Sequence, residues 1–280
     1  MTRVFGFDFT SAPSRRKSIT RCTGTLRPDP ANQSWSLDVV AVDALSSFDA
    51  FETALAIPGP WVAAFDFPFG LPRELSEQVG WPNDWRAHVR HVRSIGKLQF
   101  VATLNRVRES RPYGSRYIAR RGDEAAGSSS PMKLVNPPVG LMFFEGTPRL
   151  LEAGLTVIPC APSSDSRIAL EAYPGYLARQ VTKRSYKSEG AAGRGNERTA
   201  ARQAILDAIV KGGQLTHGII VKIAQDLMQP SLDDGRGDTL DAIICALQAA
   251  MSARAFALGD AHYGIPQRAD SLEGWIATVT

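Results

Sequence analysis

Two apolar runs, "VFGFDF" at residues 4–9 and "WVAAFDF" at 61–67, each carry one charged residue, an aspartate next to the end. Both runs are short, rich in Val, Phe and Trp, and lack a helical repeat, so each reads as a strand buried on both faces. A buried carboxylate without a partner is costly. In open α/β sheets, ligands bind at the carboxyl ends of the strands. Asp8 and Asp66 are therefore the first candidates for a functional site.

The neighbouring segments define the sheet. Residues 17–25, "KSITRCTGT", and 35–42, "WSLDVVAV", read as strands joined by the polar turn "RPDPANQS". With the strand at 3–9 they make a three-strand antiparallel meander. "SSFDAFETALA", 46–56, reads as a helix capped by Ser46 or Ser47, with Pro58 just beyond it. A helix between two buried strands suits a parallel crossover. Regularity falls between 68 and 139, where Pro, Gly and Arg accumulate; this stretch reads as an insertion with a helix near 84–95 and a mobile loop at "DEAAGSSSPM". Beyond it, 140–154 reads as a helix containing Pro148 and 167–174 as a strand bearing Glu171. Residues 196–211, 217–228 and 238–257 read as helices, the last opening with acids in its first turn. The expected fold class is α/β: a mixed sheet, meander plus parallel strands, flanked by helices in one domain over 1–280.

Composition narrows the function classes. No stretch approaches the ~18 consecutive apolar residues of a membrane span, and the N-terminus enters a strand without a signal-peptide pattern. Cys22, Cys160 and Cys245 are far apart, with neither metal spacing nor a disulfide framework. A cytoplasmic protein with no membrane partner is the expectation. The net charge of +4 conceals a division: residues 86–121 carry +9, residues 179–202 carry +5, and the rest of the chain −10. Basic segments beside an acidic body point to a phosphate-bearing partner, nucleic acid above all.

Asp238 and Asp241 lie three apart on one helix face, so Asp8, Asp66, Glu171, Asp238 and Asp241 form a constellation of hard oxygen donors suited to Mg²⁺ or Mn²⁺. Two such ions support phosphodiester hydrolysis. Each acid also has a plainer reading. Asp8 and Asp66 would each close a turn, Asp238 would cap its helix, Asp241 would answer the helix dipole, and Glu171 would pair with an arginine. His88 and His91 share a helix face but have no third ligand nearby, which leaves them as surface residues.

The ordered pieces "GFDFTSA" (6–12), "FDFPFGLP" (65–72), "EAYP" (171–174), "YKSEG" (186–190), "GDTLDAIICALQAA" (237–250) and "EGWI" (273–276) resemble the RNase H-like superfamily, and within it a predicted nuclease family, domain-of-unknown-function family 429. The resemblance implies an RNase H-like sheet with Asp8, Asp66, Asp238 and Asp241 as catalytic metal ligands. Resolvase relatives carry glutamate on the fourth strand where this chain has Asp66, and they act as dimers; the oligomeric state here stays open.

For a nucleic-acid substrate, Tyr113 and Tyr117 would stack on bases among Arg108, Arg111, Arg116, Arg120 and Arg121. Lys183, Arg184 and Lys187, with Arg194 and Arg198, form a second basic patch, and "YKSEGAAGRGNER" is Gly-rich enough to order only on binding. The competing reading pairs the same arginines with the acidic body. The leading function is a metal-dependent nuclease. The alternatives are a non-catalytic nucleic-acid-binding protein and an actin-like or sugar-kinase-related ATP-binding protein. The latter is disfavoured because "DFTSAPS" lacks the phosphate-cradling glycine.

Overall fold

The computed structural model describes residues 1–30, 34–188 and 196–280. Its centre is a seven-stranded mixed sheet. Strands β1 (Thr2–Asp8), β2 (Ile19–Asp29) and β3 (Ser34–Leu45) form the antiparallel meander expected from the sequence. Helix α1 (Phe48–Leu55) follows, with the Ser47 hydroxyl accepting from the Ala50 amide as its N-cap. Strand β4 (Trp61–Asp66) then returns parallel to β1. Strands β5 (Thr156–Ile158) and β6 (Arg167–Glu171) extend that side, and β7 (Ile219–Ile223) joins β3 on the other, all in parallel pairings. The sheet order is β5-β6-β4-β1-β2-β3-β7.

Helices cover both faces. On one lie α6 (Pro174–Val181), α7 (Asn196–Lys211) and α9 (Asp238–Ala257), whose buried residues share a core with Val4, Val62 and Leu170. On the other, Phe5, Phe7, Trp61 and Phe65 pack with α1 residues Phe51 and Leu55. The rings of Phe7 and Phe65 stack across the β1–β4 pair, centroids 4.6 Å apart. Between β4 and β5, helices α2 (Arg73–Val79), α3 (Trp85–Glu109), α4 (Arg121–Ala126) and α5 (Val139–Glu152) accompany a third apolar cluster drawn from residues 71–144. By length and composition α9 could cross a membrane, but most of it is buried in this chain's own core.

Several elements differ from expectation. Residues 217–228 are not one helix: β7 comes first, then α8 (Gln225–Asp233). "IIVKI" alternates buried and exposed positions, and a short apolar run of that kind does not reveal its period until a partner strand is present. The strand at 167 ends at Glu171 because Pro174 starts α6. Helix α3 runs well past residue 95, with a break at Gly96 where φ is 76°. The segment read as a mobile loop, 123–132, begins within α4, where Asp123 is buried. Strand β5 was not anticipated. Most of the segment expected to order on binding, 189–195 with Arg194, lies outside the described residues.

Candidate metal centre

Parallel pairing sets Asp8 and Asp66 side by side at the ends of β1 and β4. Side chains alternate along a strand. Val4, Gly6 and Asp8 thus point to one face with Val62, Ala64 and Asp66, while Phe5, Phe7, Trp61 and Phe65 point to the other. Helix α9 covers the aspartate face. At Gly6 a Cβ would overlap the carbonyl oxygen of Ala242 and the amide nitrogen of Ala246. Glycine therefore lets the α9 backbone rest directly on β1, and the residue before Ala242 is Asp241. One carboxylate oxygen from each of Asp8, Asp66 and Asp241 lies within 4.8 Å of the others.

Asp241 is buried, while Asp8 and Asp66 keep part of their surface open. Burial pushes the Asp8 carboxyl well above the usual range; Lys187 opposes that rise, and the charges of Asp238 and Asp66 add to it. Burial raises Asp66 to about 6, again against the pull of Lys187 and with a contribution from Glu171. The Lys187 ammonium meets Asp241 Oδ2, and the Tyr186 hydroxyl donates to Asp241 Oδ1 at 2.7 Å. Lys187 remains 42% exposed. Among the described residues, the three clustered carboxylates are thus met by one partly solvated ammonium, with Lys17 also acting on Asp8. Such a donor set fits a hard divalent cation.

Asp238 stands outside this group of three, with Arg236 Nε 3.3 Å from Oδ2. It is not the helix cap: Gly237 holds that position, and Asp234 accepts the Thr239 amide at 2.8 Å. Glu171 also stands outside. It pairs in register with Phe65, not Asp66, so its side chain leaves β6 on the opposite face of the sheet. There Arg120 holds it with two hydrogen bonds, 2.5 and 2.8 Å, and the Phe69 amide donates to it at 2.8 Å. Burial raises the Glu171 carboxyl and Arg120 opposes the rise. As placed, Glu171 is an ion-pair partner, the plainer of the two readings open to it.

Arg120 is likewise not a surface phosphate contact. It is 2% exposed and every guanidinium N–H is donated: Nε to Asp123 Oδ2, Nη1 to Glu171 Oε2 and Glu273 O, Nη2 to Asp123 Oδ1 and Glu171 Oε1. Two other arginines of its basic window are ion-paired as well. Arg111 meets Glu74 at 2.6 Å and Arg108 meets Glu109 at 3.3 Å. Tyr113 is 91% exposed with Arg116 over its ring, Tyr117 is half-exposed, and Arg121 is exposed. His88 is buried rather than on the surface, its Nδ1 3.0 Å from Pro82 O, and burial lowers it to about 4. The three cysteines are free and buried.

Two cavities adjoin the acids, both lined by Asp66, Tyr173 and Lys187. Of the 86–121 window only Arg120 lines either of them, whereas Lys183, Arg184 and Lys187 all line the second. Tyr173, Tyr186 and Arg179 carry no individual role in the sequence reading, although Tyr173 lies within "EAYP". Tyr186 lies within "YKSEG", and that motif was the available signal.

The family model described as "Protein of unknown function (DUF429)" matches residues 29–269. No curated protein and no solved structure matches the chain.

Proposed function

The chain belongs to the DUF429 family, and on that premise we propose that it is a metal-dependent nuclease of RNase H-like fold, hydrolysing phosphodiester bonds in DNA or RNA. The observation that carries this reading is the convergence of Asp8, Asp66 and Asp241 to within 4.8 Å on two buried strand ends and a buried helix. The run β3-β2-β1-β4-β6 within the sheet supports the fold assignment, because the acids then fall on the first strand, the fourth strand and a late helix.

Asp8, Asp66 and Asp241 would hold Mg²⁺ or Mn²⁺, with Asp238 adding negative charge beside them. A bound divalent ion supplies a nucleophilic water near neutral pH and stabilises charge on the leaving oxygen. The protein's own contribution is rigidity and charge. The apolar strands fix the two aspartates, and Tyr186 orients Asp241 by its hydrogen bond. Lys187 offsets part of the negative charge, and its Nζ would donate to a non-bridging phosphate oxygen when substrate enters.

The Lys187–Asp241 ion pair favours one second reading, a nucleic-acid-binding protein whose acids are satisfied by lysine and perform no chemistry. Calorimetry with Mn²⁺ on the wild type and on Asp8→Asn separates the two. Binding by the wild type and loss in the variant is the expected result. No binding by the wild type, with an oligonucleotide present to supply phosphate, would leave the binding-protein reading in place.

A further inference from the structure

The two cavities beside the acids have opposite chemistry. The first encloses about 270 Å³. Apolar Phe67, Pro68, Val139, Met142 and Ile276 line it together with polar Ser128, Ser129 and Lys187, and the Arg120–Asp123–Glu171 network borders it too. All five N–H groups of Arg120 are donated within that network and to Glu273 O. Arg120 therefore has no donor left for an anion, and Lys187, which also lines the second cavity, is the other cation on the wall. A phosphate finds no free guanidinium here, whereas a flat apolar group with N–H donors on its edge would fit against the apolar side chains and the carboxylates.

The second cavity, about 370 Å³, shares Asp66, Tyr173 and Lys187 with the first and also has Asp241 in its lining. Arg179, Lys183, Arg184, Thr182 and Ser185 line it. Lys183 and Arg184 are exposed. Cationic groups interleaved with hydroxyls suit a phosphodiester backbone.

A largely apolar slot and a cationic groove that share Asp66 and Lys187, with Asp241 lining the groove, match the polarity of one nucleotide and the phosphates that follow it. We propose that this site takes an unpaired nucleotide, with its base in the first cavity, its phosphate at Asp8, Asp66 and Asp241, and the adjoining backbone along the second. The substrate is then single-stranded or locally unpaired nucleic acid. A base stacked within a duplex cannot enter the slot unless it is turned out of the helix, which costs a few kcal/mol. The inference rests on the nuclease reading for its chemistry, but strand preference is read from binding alone.

The test is fluorescence anisotropy with a labelled short single strand and its fully paired duplex, in Ca²⁺, on the wild type and on Val139→Trp, which fills the slot. The expected result is that the wild type prefers the single strand by about tenfold. Val139→Trp should remove that preference while Mn²⁺ affinity and melting temperature stay at wild-type values. Equal or tighter binding of the duplex by the wild type overturns the proposal. So does an unchanged preference in Val139→Trp, or in Met142→Trp if the first variant melts early. If Mn²⁺ fails to bind while the single-strand preference holds, the nuclease reading fails and the nucleotide slot stands.

Discussion

Two groups of carboxylates sit at the same end of the sheet, and they are treated in opposite ways. Glu171 and Asp123 share one buried arginine that gives all five of its N–H groups to them and to a carbonyl. Asp8, Asp66 and Asp241 share one half-exposed lysine and a tyrosine hydroxyl. Burial alone does not separate Glu171 from Asp241, since both are almost fully hidden. Compensation does. Carboxylates whose lone pairs are met by fixed donors serve the fold. Carboxylates left with too little positive charge are, on the proposed reading, held ready for a cation that is not part of the chain.

Four substitutions probe this contrast, taken from the largest expected effect to the smallest. Asp241→Asn removes one charge from the undercompensated group and should lower Mn²⁺-supported cleavage of a single-stranded oligonucleotide by about a thousandfold, ~4 kcal/mol in the barrier. An unchanged rate would remove Asp241 from the chemistry.

Arg120→Met strips the compensated group of its counter-charge and leaves two buried acids facing each other. The unfolding free energy in urea should fall by about 3–5 kcal/mol. A small loss would mean that the network is not structural and that the contrast drawn above is mistaken.

Asp66→Asn should have the opposite sign. The Asp66 carboxyl titrates near 6 in the folded protein against an ordinary value of 3.8. Between those values the folded state keeps a proton that the unfolded chain has released, so stability falls as pH rises through the window, and the penalty is complete above it. At pH 7 the variant should therefore be more stable than the wild type, by up to ~3 kcal/mol. The difference should vanish below 3.8. Thermal melts of both proteins across this range give the answer, and a variant less stable at pH 7 would show that the carboxylate is already compensated.

Lys187→Met removes the internal cation. Because that lysine is half-exposed, the effect should be modest: Mn²⁺ affinity rising about fivefold, ~1 kcal/mol. A fall in affinity would mean that Lys187 organises the acids instead of competing for them.

Much of this was legible in the chain. The antiparallel meander, α1 with Ser47 as its cap, the parallel return of β4 and the limits of α9 follow from apolar runs, turn residues and helix-start signals. The aspartates at positions 8 and 66 were conspicuous because they interrupt runs that otherwise hold no charge. Strand β7 was hidden because five residues are too few to separate a strand from a helix without a neighbour.

By itself, then, the sequence determined which residues must be buried and which acids were costly to bury, since local hydrophobicity and turn chemistry are properties of short stretches. It did not determine which acids meet. In strands apolar on both faces the alternation of side chains leaves no trace in composition, and a shift of one residue in pairing turns every side chain over. Only the register of β4 against β6, Phe65 beside Glu171, sends Glu171 away from Asp66 and toward Arg120. Only the close approach of α9 to Gly6 brings Asp241 down to Asp8. Those are distances between segments far apart in the chain, and they exist only once the sheet and its helix have packed.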